Sequence, residues 1–130
     1  MKKIEHNEHC KQIAETLKKY VDGTITRCPM CGTEFQDGTS ECTECGEETE
    51  IQSIYDFFTD IYNTKFRVSS KDADEVESVS FMVAYGGPNI YIDTAERKVL
   101  LYWWTESGEA WLDDDVVEAV NEFANELWNC

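Results

Sequence analysis

The stretch SVSFMVAYGGPNIYIDTAERKVLLYWW, residues 78–104, decides the fold. It is dense in β-branched and aromatic residues, which suit a pleated, half-buried surface better than a helix. Three strands are read from it: Ser78–Tyr85, Asn89–Asp93 and Lys98–Trp104. Gly86-Gly87-Pro88 ends the first, and a short turn at Thr94–Arg97 joins the second to the third. On the C-terminal side, Gly108 breaks the pattern. Asp113–Trp128 then carries Val116, Val117, Val120, Phe123, Ala124 and Leu127 on one helical face. On the N-terminal side, Ile51, Ile54, Tyr55, Phe58, Ile61 and Tyr62 mark an amphipathic helix, with Thr49 and Gln52 as its capping box. Further back, Cys10, Ile13, Leu17, Tyr20 and Val21 recur at spacings of three and four, and Gly23 closes that helix. The expected fold class is α+β. An N-terminal helix over residues 1–23 precedes a Cys-rich module over residues 24–49. An acidic α-β-β-β-α domain over residues 50–130 follows, its antiparallel sheet covered by helices on one face.

The chain has 130 residues, 27 acidic and 11 basic, for a formal charge of −16. At 42% apolar content it is too hydrophobic for a disordered acidic tail, so a packed core is expected. Nucleic-acid binding needs Lys and Arg to displace counterions, so direct nucleic-acid contact is excluded as a role. An anionic membrane surface is disfavoured for the same reason. The longest apolar runs, Phe81–Tyr85 and Val99–Trp104, fall far short of the roughly 20 residues that span a bilayer. The N-terminus has no apolar signal segment. The expectation is a cytoplasmic protein in which thiols stay reduced, so cysteines read as metal ligands before disulfides.

Cys28-Pro29-Met30-Cys31-Gly32 and Cys42-Thr43-Glu44-Cys45-Gly46 are two C-x-x-C-G pairs separated by ten residues. A two-residue gap lets both thiolates of a pair reach one ion, and the glycine permits the tight turn around the sulfur. Asp37-Gly38 supplies a turn between the pairs. Four thiolates in a tetrahedron select zinc. The module resembles a short zinc ribbon over about residues 27–47. Rubredoxins share the paired motif but separate the pairs by a much longer segment. A complete Cys28, Cys31, Cys42, Cys45 set leaves no vacancy for water, so the expected zinc is structural. Many zinc ribbons contact nucleic acid through basic side chains. Here Arg27 alone is basic between residues 27 and 50, against Glu34, Asp37, Glu41, Glu44, Glu47, Glu48 and Glu50.

Weaker candidates surround this signal. His6, His9 and Cys10, with Glu5, have helical spacings that would allow a second metal site; the plainer reading is two solvent-facing histidines beside a helix-face cysteine. Cys10 and Cys130 read as unrelated free thiols. Gly86-Gly87-Pro88-Asn89 lacks the Gly-Lys-Ser/Thr ending of a phosphate loop and reads as a turn. Strand alternation places Trp103 and Trp104 on opposite faces. No nucleophile motif or metalloprotease motif is present, and no enzyme activity is expected.

Asp114, Glu118, Glu122 and Glu126 recur every fourth residue and form a carboxylate line opposite the apolar face of the last helix. Like charges at this spacing cost about 0.2–0.5 kcal/mol per pair, a tolerable amount. A small, strongly acidic α+β chain is similar in size, charge and texture to inhibitors carried by phages and mobile elements, of the anti-CRISPR or anti-restriction type. That resemblance implies a binding protein that occupies the cationic channel of a nucleic-acid enzyme. The alternative expectation is a zinc-ribbon adaptor between proteins with no nucleic-acid role.

Overall fold

The computed structural model describes residues 3–130; residues 1 and 2 of the expected N-terminal segment lie outside them. In chain order the elements are α1 (Lys3–Asp22), β1 (Thr26–Arg27), β2 (Glu34–Phe35), β3 (Glu50–Ile51), α2 (Ile54–Phe57), β4 (Asn63–Arg67), β5 (Ser78–Ala84), β6 (Asn89–Asp93), β7 (Lys98–Trp103), β8 (Glu106–Trp111) and α3 (Asp114–Trp128). The strands form a small sheet ordered β2-β1-β3 and a five-stranded sheet ordered β4-β5-β6-β7-β8. Every pairing is antiparallel, so the α+β class holds.

Strand alternation builds the core. Phe81, Ile92 and Val99 stand opposite one another in a continuous cross-strand row, and all three are fully buried. Ile90 and Leu101 form the next buried pair. The helices cover this face. α1 lies across β7 and β8, and α3 packs on β5 and α1. Phe58 sits at the centre, stacked on Phe123 at 5.0 Å between ring centroids and 4.9 Å from Phe81. Burying such a side chain contributes about 1.5–3 kcal/mol, and an aromatic pair adds about 0.5–1.5 kcal/mol. The opposite face of the sheet carries Tyr91, Leu100 and Tyr102, and no helix among the described residues packs on it.

Two further strands lie beyond the expected three. β4 adds to one edge of the sheet through pairs such as Phe66 with Val79. β8 adds to the other, with Leu101 opposite Gly108. Gly108 therefore does not end the sheet. It sits within a strand because α1 crosses there: a Cβ at position 108 would lie 2.5 Å from His6 Cβ and 2.6 Å from the His6 carbonyl carbon. Asn7 Oδ1 accepts a hydrogen bond from the Glu109 backbone N–H, so α1 also caps the β8 edge.

The helix expected from residue 51 to 62 contracts to the single turn of α2. Ile51 belongs to β3, opposite Thr26, and is 71% exposed. Thr49 does not cap the helix, because its hydroxyl donates to the Thr39 carbonyl in the Cys-rich module. The cap is Ser53, whose hydroxyl accepts from Tyr55 N–H while Asp56 accepts from the Ser53 N–H. In α3, Val116, Val117, Val120, Phe123 and Ala124 are buried as expected, whereas Leu127 is exposed. The end of α3 holds the β4–β5 connection. Trp128 Nε1 donates to the Ala73 carbonyl, Asn129 Nδ2 to the Asp74 carbonyl, and Asn125 Oδ1 accepts from Val76 N–H.

Gly108→Ala should lower stability by about 1–3 kcal/mol, because the added methyl overpacks a backbone crossing that has no flexible atom to move. Chemical denaturation checks this; an unchanged midpoint would show that α1 can lift off β8 without penalty.

Candidate functional site

The strongest chemical feature is built from two similar knuckles. In the first, Cys28 N–H donates to the Thr33 carbonyl at 2.9 Å and Gly32 N–H to the Cys28 carbonyl at 2.9 Å. In the second, Cys42 N–H donates to the Glu47 carbonyl at 2.7 Å and Gly46 N–H to the Cys42 carbonyl at 2.9 Å. Gly32 and Gly46 have φ of 77° and 78°, the left-handed region that glycine enters without strain. Each C-x-x-C-G motif thus closes the same turn. Asp37-Gly38 reverses the chain between the knuckles, with Asp37 Oδ1 accepting from Thr39 N–H. β1 fastens the module to the rest of the protein: Ile25 and Thr26 are buried, and the Ile25 carbonyl accepts from Gln52 N–H.

The knuckles bring all four sulfurs within 4.8 Å of one another. Cys28 and Cys45 Sγ are 3.3 Å apart, Cys31 and Cys42 3.6 Å, and Cys31 and Cys45 3.8 Å. A tetrahedron of zinc–sulfur bonds of about 2.3 Å has edges of about 3.8 Å, so the donor set fits a zinc ion. None of the cysteines is in a disulfide. Cys28 and Cys42 are buried; Cys31 and Cys45 face solvent.

The metal-free sulfurs cannot all ionise side by side. The Thr33 hydroxyl and backbone N–H bring the Cys31 thiol down to about 6. At Cys45 the Glu47 backbone N–H favours the thiolate, but the neighbouring Cys28 sulfur, burial and the remaining sulfurs outweigh it and push the thiol up to about 12. A divalent cation reverses that repulsion and expels the retained protons.

The second candidate metal site does not assemble. Among the described residues, the four ribbon cysteines are the one group of His, Cys, Asp or Glu close enough to hold an ion. His6 is not solvent-facing but fully buried where α1 crosses Gly108, with Nε2 3.2 Å from Glu106 Oε1. His9 is half-buried. Cys10 is fully buried, and burial, then the Glu109 charge, push its thiol up to about 11. It is a core residue, and Cys130 is exposed and unconnected to it. Trp103 packs on the core while Trp104, at the hairpin tip, is 90% exposed with φ of 56°.

Asp114, Glu118, Glu122 and Glu126 all lie exposed along α3. Their electrostatic settings differ. Asp114 is ion-paired with Arg97. Glu118, Glu122 and Glu126 have no cationic partner among the described residues. At the head of the helix, Lys18 of α1 pairs with Asp115 and reaches Asp113 at 4.0 Å, which ties the two helices together. Lys18 holds the Asp115 carboxyl below the usual carboxylate range. In the ribbon, Glu34, Asp37, Glu41, Glu44, Glu47, Glu48 and Glu50 are all exposed, as is Met30 at 73%.

The chain matches no family model, no curated protein and no solved structure with significance. No helix among the described residues is long and apolar enough to cross a membrane.

Two outcomes are expected of the metal centre. The purified protein should bind one zinc ion per chain, and Cys28→Ser should abolish stoichiometric binding and collapse the amide dispersion of residues 27–48 while the five-stranded sheet persists; elemental analysis and NMR read both. Zinc affinity should weaken as pH falls from about 8 to about 6, because protons compete for the sulfurs. Chelator competition measures it, and a pH-independent affinity would show that thiolates are not the ligands.

Proposed function

We propose that this is a non-enzymatic, acidic binding protein whose zinc ribbon braces the scaffold and whose carboxylate surface occupies the basic nucleic-acid groove of a protein partner. The observation that carries the reading is the row Glu118, Glu122 and Glu126, exposed on α3 with no cation to neutralise it among the described residues. A solvated helix needs no such row, and acids near a helix C-terminus oppose its dipole. Successive carboxylates in the row rise about 6 Å, whereas one DNA strand presents a phosphate every ~3.4 Å. Acids from other elements therefore contribute alongside α3; the candidates are the exposed Asp72, Asp74, Glu75 and Glu77 and the ribbon carboxylates. The target class is a nucleic-acid enzyme of the kind that anti-CRISPR or anti-restriction inhibitors block, and the setting is the cytoplasm of a cell carrying phage or mobile elements. Four thiolates fill a tetrahedral zinc ion, so the ribbon offers no open position for substrate.

A zinc-ribbon adaptor with no nucleic-acid role is the second reading. The exposed Met30 at the first knuckle favours it, since an isolated exposed methionine on a rigid turn suits a protein contact.

The triple variant Glu118→Lys/Glu122→Lys/Glu126→Lys separates the two. Under the first reading, it weakens partner binding at least tenfold, wild-type binding falls steeply with salt, and a DNA oligonucleotide competes. Binding that survives charge reversal and ignores both salt and DNA leaves the adaptor reading.

A further inference from the structure

Beyond the ribbon and the α3 carboxylates, a cleft of about 500 Å³ opens where β5 ends and β6 begins, between the first half of α1 and residues 57–60. Its floor is apolar and is made by Ile13, Phe57, Val83, Ala84 and Ile90. The floor exists because the β5–β6 register slips between Met82 and Ala84. This bulge turns the successive side chains of Val83 and Ala84 onto the core side, where both remain partly exposed. Bulges of this kind re-aim side chains and recur beside binding sites. The volume is that of a small-molecule site.

The polar groups at the rim narrow the ligand class. His9, Gln12 and Asp60 line the cleft, and their side chains make no hydrogen bond or ion pair among the described residues. Asp60 is the one acidic residue in the lining, and no Lys or Arg faces it there. A carboxylate or phosphate ligand would meet Asp60 without a compensating cation, on a molecule of charge −16. A neutral apolar ligand would gain nothing from the Asp60 carboxylate, which is exposed at the rim and hydrated. An organic cation on a short apolar stem satisfies both surfaces, with the stem on the Ile13–Phe57 floor and the ammonium at Asp60. Its contact would be a charge-assisted hydrogen bond, roughly twice as strong as a neutral one.

We propose that this cleft is a binding site for a small organic ammonium ion, with Asp60 as the counter-ion and Gln12 and His9 as additional polar contacts. The site is independent of the α3 carboxylates and of the ribbon.

The test titrates the zinc-loaded full chain with phenethylammonium chloride, 2-phenylethanol and 3-phenylpropionate, followed by calorimetry and by amide shifts. The ammonium ion should bind saturably, with shifts concentrated at residues 57–60, 83–84 and 90. The alcohol should bind about threefold more weakly, since an ion pair at an exposed carboxylate is screened by water, and the carboxylate should not bind. Asp60→Asn should erase the ammonium preference and leave alcohol binding unchanged. The α3 triple variant should bind the ammonium ion as the wild type does, so failure here and failure of the inhibitor reading are separate results. Equal affinity for ammonium and alcohol, an unchanged preference in Asp60→Asn, or no saturable binding of the ammonium ion would each overturn the proposal.

Discussion

Covering one apolar sheet face is the constraint on which the rest of the structure depends. Phe81, Ile92, Val99 and Leu101 expose no surface only because α1 and α3, with Phe58 after α2, lie over them. The meeting of Phe58, Phe81 and Phe123 joins the short helix, the sheet and the C-terminal helix in one aromatic contact. α1 can approach closely enough to complete the cover because position 108 has no side chain. The buried His6 and the capped β8 edge both follow from that approach. The Cys-rich module contributes little to this core; its internal order comes from two hydrogen-bonded turns and four converging sulfurs.

The charge distribution follows from the same layering. The helices turn their apolar sides to the sheet, so the acids of α3 are forced outward into one line. Three of the cations pair locally: Lys18 joins α1 to the head of α3, Arg97 holds Asp114, and Lys98 pairs with Glu109 while lying over Trp111. The middle and end of α3, the acids of residues 72–77 and those of the ribbon have no ion pair among the described residues.

Some of this was legible in the residues, and the reason is periodicity. The α3 face and strands β6 and β7 repeat at helical and strand spacing over enough residues to be unambiguous. The metal centre was legible because a C-x-x-C-G pair specifies its own local turn. β8 was not, since Ser107, Gly108 and Glu109 have poor strand propensity and pair only because β7 and α1 flank them. α2 was overread because Ile51 has the right spacing for a helix, yet its backbone is taken by pairing with Thr26. The burial of His6 depends on a glycine far along the chain, and the cleft at Asp60 depends on a one-residue register slip. Neither leaves a mark in a local pattern.

The clamp of Asn125, Trp128 and Asn129 on the β4–β5 connection has a kinetic consequence. Three backbone groups between Ala73 and Val76 find their partners in residues about fifty positions later. As a chain emerges N-terminus first, β4 and β5 can pair while the link between them is still fluid. The link sets only when the final helical turn docks, so closure of this loop should be among the last events of folding and the first lost on local opening.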